Sequence, residues 1–176
     1  MKYINLLSLI SLIFISCTLT KPVSSPAGGL GFKDDFLRQI NKIRRQGCNC
    51  GSTYMPPAPP LTWNDQLALS ARNHASDMAR YNYFSHNSRN GRVLKDRTDR
   101  VGYTLSGYKS LVIGENIARG QRSATEVMRS WISSPGHCKN LMNPAFKEVG
   151  VAEVDLYWVQ NFGGREPFSR KESAKK

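Results

Sequence analysis

Histidine is scarce in this chain. The three that occur, His74, His86 and His137, are the whole supply for any chemistry that needs an imidazole. Acidic side chains are also few, 13 against 25 Lys and Arg, which leaves a formal net charge of +12. Long apolar runs are missing: the longest, Ile4 to Ile15, is broken by Asn5, Ser8 and Ser11 and falls short of the roughly 20 residues a membrane-spanning helix needs. There is no H-E-x-x-H, no G-x-S-x-G and no glycine-rich phosphate loop, so the common zinc-protease, serine-hydrolase and nucleotide-binding motifs are excluded. The basic residues are scattered and carry no base-reading module, which excludes nucleic acid as a partner. A cationic surface suits solvent, an anionic membrane or a cell-wall polymer.

What is present begins with an export signal over residues 1–16: Lys2 supplies the positive start and the interrupted apolar run follows. Phe14-Ile15-Ser16-Cys17 has the form of a loose bacterial lipobox, with Cys17 as the lipid-bearing residue. Cleavage a few residues later, without lipid, is the alternative. Residues 17–31 read as a flexible Ser/Pro/Gly tether. The expected destination is therefore outside the cytoplasm: periplasmic, lipid-anchored to the envelope, or extracellular. One domain over residues 32–165, a basic tail over 166–176 and a monomer are expected.

Apolar spacing predicts a helix over 33–46, with Asp34 and Asp35 in its first turn, Arg44 and Arg45 in its last, and Gly47 as its stop. Four prolines between Pro56 and Pro60 keep the next stretch extended. Asn64 caps a second helix that runs through residue 81 and carries His74 on its apolar face, as a core histidine bonded to a backbone carbonyl. A short helix ends at Gly102, and Leu111-Val112-Ile113 leads into the polar Gly114-Glu115-Asn116. Ser123 caps a helix over 124–133, and Ser134-Pro135 opens another. Residues 148–155 and 157–162 form two strands joined by a tight Asp155-Leu156 hairpin.

With His74 in the core, His86 and His137 remain for a site, and Glu115 and Glu126 are the acids to pair with them. Together they could hold a divalent metal with an open position or do acid–base work. Each also has a plain structural reading. Glu126 completes an S-x-x-E capping box with Ser123. His137 lies in the first turn of its helix, where the dipole favours the neutral imidazole. Glu115 could be a turn-stabilising acid and His86 an exposed loop residue. Cys138 adjoins His137, but helix neighbours point about 100° apart, so Cys138 serves better as a disulfide partner than as a nucleophile. Cys48-x-Cys50 is tighter than usual zinc spacing.

The segments FSHNSR (84–89), GENIA (114–118), SPGHCKNLMNPAFKEVGV (134–151) and YWVQNFG (157–163), in that order, resemble the CAP superfamily, the SCP-like domain of cysteine-rich secretory, antigen 5 and pathogenesis-related proteins. The likeness extends from about Asp34 to Gly164. PPAPPLTWNDQLALSARNHASDMA (56–79) resembles the bacterial branch. The resemblance implies an α+β fold, an α-β-α sandwich with a small central antiparallel sheet. It implies a cleft of His86, Glu115, Glu126 and His137, in which His86 and His137 ligate a divalent metal such as zinc. Other members bind sterols or fatty acids, and some have been proposed as proteases, with no general activity agreed. The cysteine-rich extension and the long sterol-binding loop are missing here, which argues against sterol. Bacterial relatives imply a Cys50–Cys138 disulfide with Cys48 left as a thiol. The expected function is an exported binding module, leaning away from an enzyme, whose cleft holds metal and whose surface meets an envelope ligand. A metal-assisted hydrolase of peptide or cell-wall material and a lipid or membrane-surface binder are the alternatives.

Overall fold

The computed structural model describes residues 30–169; the signal sequence, Cys17, most of the tether and most of the tail lie outside them. Among the described residues no helix is long and apolar enough to cross a membrane. The first helix, α1 (Leu30–Gln46), starts three residues earlier than the apolar spacing predicts. Asp34 and Asp35 therefore stand in its second turn, and the last two residues assigned to the tether are helical. Gly47, at φ 72°, ends it as expected.

A small hairpin follows, β1 (Cys48–Cys50) with β2 (Thr53–Met55), which the proline-rich sequence had concealed. The main sheet contains β3 (Thr62–Trp63), β4 (Ser110–Arg119), β5 (Glu148–Val154) and β6 (Tyr157–Glu166), in the order β3-β5-β6-β4. β4–β6 and β5–β6 are antiparallel. β3 lies parallel to β5, so the sheet is mixed rather than wholly antiparallel. The reason is topological: between β3 and β5 the chain passes through helices, and a crossover of that kind returns a strand in parallel.

α2 (Asp65–Tyr81) covers one face of the sheet. Its Ala71, Ala75 and Met78 pack with Ile117, Ala152, Tyr157 and Val159. α1, α4 (Ala124–Ser133) and α5 (Pro135–Met142) cover the other, where Phe36, Ile40, Trp131 and Leu141 meet Val149, Val151, Trp158 and Phe162. Residues alternate between the two cores along β5 and β6, and both faces are buried. That is why the apolar alternation of these strands reads as imperfect in the sequence. This is the α-β-α sandwich of the expected class. α2 lies so close to β5 that a Cβ on Gly150 would fall 2.0 Å from the Ala68 nitrogen. The β5–β6 hairpin turns through Asp155 and Leu156 at φ 49° and 65°, and β6 continues four residues past the predicted end, to Glu166.

Two long-range ties fix α5. The Cys50–Cys138 disulfide joins it to β1, with Cα atoms 5.4 Å apart, as the resemblance implied. Among the described residues Cys48 is the free thiol. Arg44 is fully buried rather than a solvated partner of the helix dipole. Its guanidinium donates to the carbonyls of Pro59 (2.7 Å), Leu141 (2.7 Å), Asn143 (3.1 Å) and Phe146 (3.3 Å). Burial lowers its pKa to about 10, which still leaves it charged at neutral pH.

Candidate functional site

The polar segment Gly114-Glu115-Asn116 is the middle of a ten-residue edge strand, β4. Its polar character hid the strand, because the polar side chains are buried against specific partners instead of facing water. Side chains alternate across the sheet. Glu115, opposite Asn161, shares the α2 face with Ile117; Asn116, opposite Gln160, lies on the α5 face with Ala118.

On the α2 side Glu115 is the centre. Its carboxylate is almost wholly buried and accepts from His86 Nδ1 at 2.9 Å and from Arg97 Nη2 at 2.7 Å. With the Asn161 amide assigned the orientation that satisfies both its ends, its nitrogen donates to Glu115 Oε2 at 3.1 Å and its oxygen accepts from Ser70 Oγ and the Ala71 N–H. His86 comes from the loop after α2, and Arg97 from the short helix α3 (Leu94–Arg100). Arg97 also donates to the carbonyls of His86 (2.8 Å) and Arg92 (3.2 Å), so one guanidinium fixes both the acid and the histidine loop. His74 stays in the core: its Nε2 meets the Ser85 carbonyl oxygen at 2.9 Å, which holds the base of that loop. The sequence suggested this core role.

From the α5 side comes His137. A chain of amides, with Asn116 and Gln160 fully buried, places its helix. Asn140 Nδ2 donates to the Glu115 carbonyl at 3.1 Å and to Asn116 Oδ1 at 2.9 Å. Asn116 Nδ2 donates to the His137 carbonyl at 3.1 Å and to Gln160 Oε1 at 3.0 Å. The asparagines of GEN and HCKN and the glutamine of VQNFG are thus one network that locks α5 onto β4 and β6. Burial lowers the His137 pKa from 6.5, and the positive field of His86 lowers it further. His137 is therefore a neutral imidazole at pH 7, with a lone pair to offer. The dipole argument reached the same protonation state; burial is the larger cause.

Glu126 sits elsewhere. One carboxylate oxygen accepts from the Arg122 N–H at 2.8 Å, while the Glu126 N–H donates to Ser123 Oγ at 3.2 Å. It is exposed and closes the N-terminus of α4, and its back-bond reaches the residue before the cap rather than the cap itself. Among the described residues no hydrogen bond or ion pair joins it to His86, Glu115 or His137. Ser134, by contrast, stands at the cap of α5 without a side-chain cap bond. Sequence reasoning named His86, Glu115 and His137 and missed Arg97, whose only trace is one of the two arginines in KDRTDR.

His86 is half exposed, and its Nδ1 is committed to Glu115, which leaves Nε2 for a ligand or a proton. Glu115, held by a guanidinium, an imidazole and an amide, is built to orient His86. Behind Arg97 and His74 opens a polar cavity of about 360 Å³, lined also by Ser70, Asn73, Asp77 and Arg92.

The family model for CAP, the cysteine-rich secretory protein family, matches residues 37–162, and the chain belongs to that family. It is 39% identical over 108 residues to the uncharacterized protein YkwD of Bacillus subtilis (strain 168), a match that covers 60% of this chain and 40% of that protein. Among solved structures, an extracellular protein containing an SCP domain from Bacillus anthracis str. Ames superposes with a TM-score of 0.58 at 31% identity, over 74% of this chain and 41% of that one. An outer surface protein from Borrelia burgdorferi shares the fold, with a TM-score of 0.61 at 19% identity over 76% of this chain and 92% of that one. The chain thus spans less than half the length of the two Bacillus relatives.

Proposed function

We propose that this CAP domain is an exported binding module whose cleft holds a divalent cation between His86 and His137. The observation that carries the reading is the Glu115–His86 hydrogen bond. A carboxylate on Nδ1 fixes the tautomer that presents Nε2, which is how metal-ligating histidines are commonly oriented. Neutral His137 supplies the second imidazole, and water would complete the shell. Borderline zinc suits such a pair of nitrogens. Glu115 acts from behind as an orienting group, and Glu126 belongs to its helix cap.

Export is supported by the N-terminal apolar signal of this chain and by the extracellular and outer-surface descriptions of two structural relatives. The +12 charge favours an anionic envelope ligand, such as a cell-wall polymer or lipid headgroup. Calorimetry with zinc tests the cleft. His86→Ala and His137→Ala should each abolish or greatly weaken binding. Glu115→Gln should weaken it about 10–100-fold, the usual cost of losing an orienting partner. Glu126→Gln should leave it unchanged. Undiminished zinc affinity in both histidine variants removes the cleft from the account. Release of fragments from casein or peptidoglycan, lost in His137→Ala, would replace the binding module with the hydrolase.

A further inference from the structure

Away from the histidine cleft, three sulfurs meet under α5. Cys48 Sγ lies 3.5 Å from Cys138 Sγ and 3.9 Å from Cys50 Sγ, and the three side chains share one cluster within 4.8 Å. The one-residue spacing of Cys48 and Cys50 is too tight for a zinc knuckle but natural here. Both lie on β1, where alternate residues point to the same side of the strand. Cys138 approaches from α5, pinned there by the part-buried Asn140 bond and the buried Arg44 bond rather than by the disulfide alone.

The surroundings are soft. Met142 is buried in the same cluster, and Met55, the strand partner of Cys48, packs against it together with Ile43. Among the described residues, the ligand atoms grouped here are the three sulfurs alone. Thiolates about 2.3 Å from one metal stand roughly 3.8–4.0 Å from each other. The two distances from Cys48 already lie near that spacing, so a cation needs only the Cys50–Cys138 edge to open.

We propose that, once the Cys50–Cys138 bridge is reduced, Cys48, Cys50 and Cys138 form a three-thiolate site for a soft monovalent cation, the cuprous ion. Thiolate ligands in a thioether-rich apolar shell select that ion over harder ones. The disulfide form and the metal form are then alternative states of one site. A phosphine reductant makes the balance explicit: it takes the oxygen of one water to become its oxide, and the bridge gains two hydrogens to give two thiols. The cuprous ion then displaces the thiol protons.

The test uses the folded chain, reduced with a phosphine, separated from it without oxygen, and titrated with cuprous ion against a chromophoric chelator. One ion per chain should bind, with a near-ultraviolet thiolate-to-copper band that is lacking in the oxidised protein. Cys48→Ser, which keeps both bridge cysteines, should lose at least the roughly 10–100-fold that removal of an outer-shell partner costs. His86→Ala and His137→Ala should bind as the wild type does, which keeps this site separate from the cleft proposal. Equal cuprous affinity in Cys48→Ser and wild type overturns the proposal. So does loss of the helical far-ultraviolet signal on reduction, since the site depends on the fold to gather its ligands. Displacement of the cuprous ion by equimolar zinc overturns the assignment of the cation.

Discussion

Replacing Arg44 by Met is the sharpest test of how α5 is held. The guanidinium serves four carbonyls, but they do not count equally. Its bonds to Leu141 and Phe146 are buried, while those to Pro59 and Asn143 lie where water can take over. A buried carbonyl left without a partner costs about 1–3 kcal/mol, so the two buried ones come to about 4 kcal/mol. Removing a charge from a fully buried position returns part of that. A net loss of about 3 kcal/mol follows. With a urea m-value near 2 kcal/mol/M, the midpoint of unfolding should fall by about 1.5 M at unchanged m. Arg44→Lys should recover less than half, because an ammonium cannot span the fork that reaches all four oxygens. The loss should also appear locally. Leu141 and Asn143 end the helix that carries His137 and Cys138, so amide exchange should quicken in α5 before it does in α2. A midpoint shift below about 0.5 M in Arg44→Met, or exchange that quickens equally in both helices, would mean that Arg44 does not hold α5.

Three further outcomes follow from the same structure. Cys50→Ala opens a loop of 88 residues' separation and should cost about 4–5 kcal/mol in the chain-entropy model, whereas Cys48→Ala should change thermal stability by less than about 1 kcal/mol. His74 and His137 both have pKa values lowered from 6.5, chiefly by burial. The unfolded chain therefore takes up protons first as the pH falls, and stability should decline from pH 6.5 downward. NMR titration of the imidazoles should place both below 6.5, with His137 moving up in His86→Ala; either one titrating at or above 6.5 contradicts the burial argument. Gly150→Ala should push α2 off β5, because its Cβ would meet the Ala68 nitrogen at 2.0 Å. Calorimetric unfolding should show one of the largest losses of any single methyl addition, about 3 kcal/mol or more.

Local chemistry made much of this protein legible in its sequence. Asn64 and Ser123 cap their helices as their residue types require, Gly47 stops α1, and Asp155-Leu156 makes the hairpin turn. His74 on an apolar face and Glu126 in an S-x-x-E box were readable as structural residues, since each is explained by neighbours a few positions away. The order of the FSHNSR, GENIA, SPGHCKN and YWVQNFG segments was enough to indicate the family, and with it the Cys50–Cys138 pairing.

Tertiary structure alone decided the rest, wherever a residue's partner lies far along the chain. Arg44 looked like a helix-end charge, because its four carbonyls lie 15 to 102 residues away. Arg97 gave no signal, since it gains meaning only when α3 sets it on Glu115, 18 residues later. The GEN segment read only as polar, because strand pairing with Gln160 and Asn161 is what buries its polar side chains at low cost. Parallel pairing of β3, the gathering of Cys48 with the bridge, and the seating of His86 on the buried Glu115 are likewise products of packing. Sequence periodicity records the faces of single elements. Which faces meet is settled by the burial of all of them together.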